Sequence, residues 1–252
     1  MALYNPFSLQ GKTILVTGAS SGIGRVTAVE CSKMGATMII TGRDSERLKE
    51  TFSHLTGEGH QQIIADLAND EGIDFLVSSL SQIDGAVLCS GINMTVPIQF
   101  ATRKKFDKIF NINFFSQTEL SRLLFKKKVF KHGSSLIFLS SEGGTIAFNY
   151  GNGIYGASKA AINSFMQFCA NEFATRHIRV NSISPGMIET PMISSMSITE
   201  EQLEAYKKRY LLRRFGVPED IAYAAIYLLS DASSWVTAST LVINGGGVSI
   251  NS

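Results

Sequence analysis

The stretch Thr13–Gly24 reads TILVTGASSGIG, and its reading decides the fold. Thr13–Thr17 is a continuously apolar, β-branched run bounded by Gly11 and Gly18, the pattern of a strand buried on both faces. A helix is expected from about Gly24 to Met34, ended by Gly35, where a positive φ costs little. Between strand and helix, Gly18, Gly22 and Gly24 permit a tight turn, a close backbone approach and close packing of the helix. A helix opening there offers free N–H groups and the positive end of its dipole, which suit a phosphate.

The same strand-then-helix alternation continues to the end of the chain. Further strands are expected at Thr37–Thr41, Gln62–Ala65, Gly85–Leu88, Leu136–Leu139, Arg179–Ile183 and Thr240–Ile243. Helices are expected near Ser45–Leu55, Gly72–Leu80, Thr102–Lys127, Ile154–Thr175, Thr199–Arg209 and Glu219–Ser230, the last opened by Pro218. Such alternation implies an α/β fold: a doubly wound parallel sheet of about seven strands, with helices on both faces. Ligands of such sheets bind at the carboxyl ends of the strands.

Composition sets the outer bounds. The chain has 252 residues, 44% of them hydrophobic, enough for a large core without staples. With 23 basic and 21 acidic residues the net charge is +2, which makes no electrostatic case for nucleic acid. Three cysteines (Cys31, Cys89, Cys169), widely spaced and without a CxxC, disfavour a disulfide framework or a metal site. The opening MALYNP has no basic segment followed by an apolar one, and the longest apolar run, Ile221–Leu229, is too short for a membrane span. A single domain over residues 1–252, no membrane partner and a cytoplasmic location are expected.

Two motifs carry possible chemistry. Gly18-Ala19-Ser20-Ser21-Gly22 fits GxSxG, the turn that presents a nucleophilic serine in α/β hydrolases. That reading needs an acid and then a late histidine, and His54, His60, His132 and His177 do not lie in the last strand–helix units. The other motif is Tyr155-Gly-Ala-Ser-Lys159 at the start of a long helix. Spacing of i and i+4 puts phenol and ammonium on one face. A neighbouring cation favours the phenolate, so Tyr155 is expected to have a lowered pKa and to serve as general acid or base. Ser141 follows a strand at its carboxyl end, where its hydroxyl can bond a substrate oxygen.

Taken in order, TGASSGIG, Asn113, Ser140-Ser141-Glu-Gly-Gly, Tyr155-Gly-Ala-Ser-Lys159, Asn181-Ser-Ile-Ser-Pro185-Gly186, Gly216-Val-Pro-Glu-Asp-Ile-Ala and Asn244-Gly-Gly resemble the short-chain dehydrogenase/reductase family. The likeness covers nearly the whole chain, and is to the compact single-domain Rossmann branch that includes 3-oxoacyl-[acyl-carrier-protein] reductases. It implies an oxidoreductase in which Tyr155 gives a proton to the carbonyl oxygen while a nicotinamide delivers hydride to carbon. It further implies that Lys159 lowers the Tyr155 pKa and bonds the nicotinamide ribose, that Ser141 polarises the carbonyl, and that Asn113 holds a water in a proton relay. Ser140 is the rival for the serine role; strand alternation puts the two on opposite faces, and the family's SSxxG register favours Ser141.

Cofactor contacts follow by position: Gly18, Ser20, Ser21, Gly22, Ile23 and Gly24 at the pyrophosphate, Asp66 and Leu67 at the adenine, and Gly91 in close approach. Tyr155 and Lys159, then Pro185, Gly186, Ile188 and Thr190, are implied around the nicotinamide. In the family register the acid that selects NAD would fall at Gly42, and Arg43 is the next residue, so NADP(H) is preferred, with NAD(H) as the alternative. Asp44 is the counter-reading, although it also suits a helix cap.

The sequence departs from the family where Leu88-Cys89-Ser90-Gly91 replaces Asn-Asn-Ala-Gly, so support for the sheet must come from elsewhere. Ala238 stands where glycine is usual, and Asn244 where aspartate is frequent. A substrate lid is expected at about 187–214, with Met187, Met192 and Met196 on it. Lys131 and Arg176 match docking basics of the acyl-carrier-protein reductases, and a homotetramer through the two long helices is implied. The expected function is therefore an NADPH-dependent reductase of a small-molecule or carrier-bound carbonyl. The alternatives are an NAD-dependent alcohol, sugar or steroid dehydrogenase and a catalytically silent dinucleotide-binding regulator.

Overall fold

A computed structural model describes residues 4–191 and 199–247. Seven strands form one parallel sheet: β1 (Thr13–Thr17), β2 (Thr37–Gly42), β3 (Gln61–Ile64), β4 (Ile83–Leu88), β5 (Phe130–Leu139), β6 (Arg179–Pro185) and β7 (Thr240–Ile243). Their order across the sheet is β3-β2-β1-β4-β5-β6-β7. The order reverses between β1 and β4, and a doubly wound sheet opens its ligand crevice at such a point.

Eight α-helices connect the strands among the described residues: α1 (Gly22–Lys33), α2 (Ser45–Ser53), α3 (Asp70–Ser78), α4 (Arg103–Phe110), α5 (Ser116–Lys126), α6 (Gly153–Phe173), α7 (Glu200–Lys207) and α8 (Pro218–Leu229). Because successive strand residues face opposite ways, β1 feeds two cores. Ile14 and Val16 pack with Ile137, Ile183, Ala225 and Leu229 under α1, α2 and α8. Leu15 packs with Leu136, Phe138, Ile162, Met166 and Phe173 under α3, α5 and α6. Both faces are thus closed over apolar side chains, which is why the strands read as continuous apolar runs and not as alternating ones.

The expected elements are present, with three differences of substance. The first is that α1 begins at Gly22, two residues before its expected start. The second concerns β5, which begins at Phe130 and pairs there with Ile83 before its register shifts at Gly85. Its first half, FKHGSS, is too polar to read as a buried strand. The third is that the expected continuous helical region 102–127 is two helices joined by a five-residue π-helical segment, Asn111–Phe115. The wider turn rotates the side chains that follow, and such segments are frequent at functional sites.

Support for the end of β4 comes from two side chains in place of the missing asparagine. The Ser90 N–H donates to Thr17 Oγ1 at 3.2 Å, and Gln117 Nε2 donates to the Ser90 carbonyl at 2.8 Å.

Candidate active site

A cleft of about 460 Å³ opens along the carboxyl ends of β1, β2, β3, β4, β5 and β6. Its floor is the glycine loop. A Cβ on Gly18 would come within 3.0 Å of the Ser90 nitrogen, and one on Gly24 within 2.4 Å of the Gly18 carbonyl oxygen, so neither position admits a side chain without a shift. Gly18 and Gly22 also take φ of +63° and +53°, which glycine adopts at no steric cost. Ser21 caps α1 without a side-chain bond, and the first turn carries no acid. The helix therefore presents unpartnered N–H groups and its positive end to the cleft, and these fit a pyrophosphate.

Every residue expected to touch the dinucleotide lines this cleft: Gly18, Ser20, Ser21, Gly22, Ile23, Gly24, Arg43, Asp66, Leu67, Gly91, Tyr155, Lys159, Pro185, Gly186, Ile188 and Thr190. The Thr190 methyl stands over Gly22, 3.4 Å from where a Cβ would be. At the β2 end, Asp44 accepts from the Arg47 N–H at 3.1 Å and so caps α2, while Arg43 is exposed at the cleft rim. Asp66 accepts from the Ala68 N–H. Where a dinucleotide is bound, these residues would hold its phosphates, adenosine and nicotinamide ends.

At the other end of the cleft β5 delivers two serines with opposite fates. The Ser140 hydroxyl turns inward and donates to the Lys159 carbonyl at 3.0 Å. Ser141 Oγ accepts from the Gly143 N–H at 3.2 Å, and Ser141 and Tyr155 both line this end of the cleft. Two hydroxyl-bearing side chains from neighbouring elements thus border one space, and together they can hold one substrate oxygen.

Tyr155 and Lys159 share one face of α6, as the spacing requires. The Lys159 ammonium lies 5.9 Å from the Tyr155 ring centroid and donates to the Leu139 carbonyl at 2.7 Å. The expected lowering of the Tyr155 pKa by Lys159 is corrected here. Burial pushes the phenol up and only Ser141 pulls it down. Lys159, almost wholly buried, is pushed down to about 8 by loss of hydration. With the charged form of each disfavoured by the same dry surroundings, the phenol keeps its proton, as a proton donor to a carbonyl must.

Asn113 does not line the cleft. The π-helical segment turns it inward, where Oδ1 accepts from the Ile92 N–H at 2.8 Å and Nδ2 donates to the Ile92 carbonyl at 2.9 Å and to Ser158 Oγ at 3.1 Å. Through these bonds it positions the segment after Gly91 and the start of α6. Cys89 lines the cleft, but burial pushes its thiol to about 12, so it is no thiolate at neutral pH.

Sequence reasoning passed over Glu142 and Tyr210. Both line the cleft, and the Tyr210 hydroxyl accepts from the Met187 N–H at 3.2 Å. Glu142 was in plain view beside Ser141, but its partner Asn244 lies on the far side of the chain and no local pattern announces it. Met187 reaches the cleft, while Met192 and Met196 fall outside the described residues. Lys131 and Arg176 stand at the opposite, amino-terminal end of the sheet. There Lys131 pairs with Asp84 at 2.8 Å and Arg176 donates to the Phe130 carbonyl and packs on the Phe125 ring. They form no rim to this chain's own cleft. Among the described residues no helix is long and apolar enough to cross a membrane, and no metal-binding cluster occurs.

Comparison with known proteins agrees with this geometry. A family model described as enoyl-(acyl carrier protein) reductase matches residues 18–247. The chain is 37% identical over 238 residues to 3-oxoacyl-[acyl-carrier-protein] reductase FabG of Rickettsia prowazekii (strain Madrid E), covering 94% of this chain and 97% of that protein. A solved structure described as a short chain dehydrogenase/reductase family protein superposes with TM-score 0.85 at 31% identity, covering 96% of this chain and all of the other. Another, from Beutenbergia cavernae, is provisionally described as an NAD(P)-dependent gluconate 5-dehydrogenase with bound NADP at low occupancy. It superposes with TM-score 0.88 at 27% identity, covering 97% of this chain and all of the other. With fold, cleft and relatives in agreement along nearly its whole length, the chain belongs to the short-chain dehydrogenase/reductase family and is an NAD(P)-dependent oxidoreductase acting between CH–OH and C=O.

Proposed function

We propose that the protein is an NADPH-dependent carbonyl reductase whose substrate is a 3-oxoacyl thioester, presented on an acyl carrier protein. The observation that carries this reading is that Ser141 and Tyr155 line the same cleft, with Lys159 one helical turn behind Tyr155. When bound, the dinucleotide supplies the hydride. Ser141 orients and polarises the carbonyl oxygen, and Tyr155 gives it the phenolic proton. Lys159, fixed on the Leu139 carbonyl, would bond the nicotinamide ribose. Asn113 acts through Ile92 and Ser158 as a positioning residue, and the water relay implied for it is part of the same proposal.

The acyl-carrier reading draws on the Rickettsia prowazekii relative, and the NADPH reading on Arg43 and the NADP-bound neighbour. A lid over about 187–214, a single domain over 1–252, a cytoplasmic location and a homotetramer belong to the same proposal. Because the matching family model is named for reduction of C=C and not C=O, a trans-2-enoyl thioester is the proper rival substrate.

The test is NADPH oxidation with a 3-oxoacyl and a 2-enoyl thioester, in wild type and in Tyr155→Phe. Loss of the proton donor should lower kcat by about 100-fold or more while NADPH still binds. Turnover of the enoyl compound alone would transfer the site to C=C reduction. Binding of NADPH without turnover of either would favour the silent regulator, and unchanged turnover in Tyr155→Phe would remove Tyr155 from the chemistry.

A further inference from the structure

Glu142 follows Ser141 directly and opens a short 3-10 turn, Glu142–Gly144, on the wall of the cleft. Its carboxylate is tied on both sides. Asn244, just past β7, donates from Nδ2 to Oε2 at 3.0 Å, and the Tyr210 hydroxyl donates to Oε1 at 3.5 Å. A Cβ on Gly186 would lie 3.4 Å from Oε1, so the carboxylate stands against the backbone that leaves β6. Both partners are neutral, and Glu142 takes part in no ion pair among the described residues.

A carboxylate offers about four lone-pair positions, and only two are taken here. The remaining capacity belongs to an anion without a counter-ion, in a partly dry cleft, one residue from a hydroxyl that binds the substrate oxygen. Among the described cations near this end, Lys159 turns its ammonium to the Leu139 carbonyl and Arg209 lies over the Tyr206 ring.

We propose that Glu142 is a specificity-determining residue: it excludes substrates bearing a carboxylate near the reacting carbonyl and admits neutral or cationic ones, such as esters, thioesters and amides. The proposal rests on the reading of Ser141 and Tyr155 as the carbonyl-binding pair. Like charges a few ångströms apart at such a wall repel strongly enough to discriminate by an order of magnitude or more. A thioester-linked substrate satisfies this filter and the corresponding free 3-oxo acid does not.

The experiment compares acetoacetate with its neutral ethyl ester, reading kcat/KM from NADPH oxidation. Wild type should favour the ester. Glu142→Gln, which keeps the shape and an acceptor while removing the charge, should raise the acid-to-ester ratio by about tenfold or more. Glu142→Asp, which keeps the charge, should leave that ratio within about threefold of wild type. An unchanged ratio in Glu142→Gln, with the ester still reduced, overturns the role of Glu142 and leaves the carbonyl-reductase reading intact. If Glu142→Gln does not fold, wild type alone decides on a third substrate, a cationic amide of the same 3-oxo acid. An anion reduced as well as the neutral and cationic compounds overturns the proposal. Failure of wild type to reduce the ester overturns the carbonyl-reductase reading, and this proposal with it.

Discussion

Lys159 is a buried ammonium, and burying it costs the fold something the chemistry needs. Its pKa lies near 8, where an exposed lysine titrates near 10.5. The unfolded chain therefore binds more protons than the folded one between those values, and stability rises as the pH climbs through that window. Below about pH 8 the whole cost of the buried charge is present. Lys159→Met should accordingly stabilise the protein at pH 7 by roughly 1–3 kcal/mol, less whatever is lost in unpairing the Leu139 carbonyl, while removing activity. Urea unfolding of both proteins at pH 7 and pH 10 checks this. Equal destabilisation at the two pH values would mean that packing, and not charge, dominates the site. At this scale the sequence was informative where function lies in short patterns. Tyr155 and Lys159 could be placed on one helix face, and Ser141 at a strand end, from the sequence, and the family resemblance supplied their roles. The Glu142–Asn244 contact joins residues 102 apart in the chain, and only the closed sheet brings them together.

At the scale of elements, Ala238 marks a place where the chain bears strain. It takes a φ of +55° immediately before β7, where glycine would be unstrained. Its backbone cannot relax, because its N–H donates to the Val180 carbonyl at 2.8 Å and its own carbonyl accepts from Gln167 Nε2 at 3.0 Å. Ala238→Gly should therefore stabilise the protein by about 1 kcal/mol, a left-handed residue's steric cost less the extra freedom of an unfolded glycine. For a protein of this size that raises Tm by roughly 2–4 °C, and a melt of the two proteins side by side reads it; a lower Tm in the glycine variant would show the strain to be absent. The departure from glycine was legible in the sequence, but its cost depends on a dihedral angle. The same divide runs through the helices. The apolar period placed α4 and α5, yet Asn111–Phe115 differs from an α-helix by one residue per turn, too little for a period to register. This segment carries Asn113, whose side chain is bonded to Ile92 and Ser158.

For the whole molecule, what matters is that the cleft is sewn from segments far apart in sequence, at the ends of six strands. The alternation of strands and helices was enough to place it, since a parallel doubly wound sheet puts its loops of one kind along one edge. The same logic puts Lys131 and Arg176 at the other edge of the sheet, a fact that charge alone does not disclose. A ligand lying along the cleft bridges β1, β2, β4 and β6, so its binding must stabilise the fold as a unit. Saturation at about 100 times Kd is worth about 2.7 kcal/mol, or roughly 5–10 °C in Tm. Arg43 stands exposed at the rim by the β2 end while Asp44 is spent on capping α2, so a 2′-phosphate there meets a free guanidinium and not a free carboxylate. NADPH should thus raise Tm more than NADH at equal concentration. Arg43→Asp should abolish that advantage and leave the NADH shift in place, because the glycine loop and the start of α1 are untouched. A larger shift with NADH in the wild-type protein would instead assign the ribose contact to Asp44 and turn the enzyme toward oxidation of alcohols.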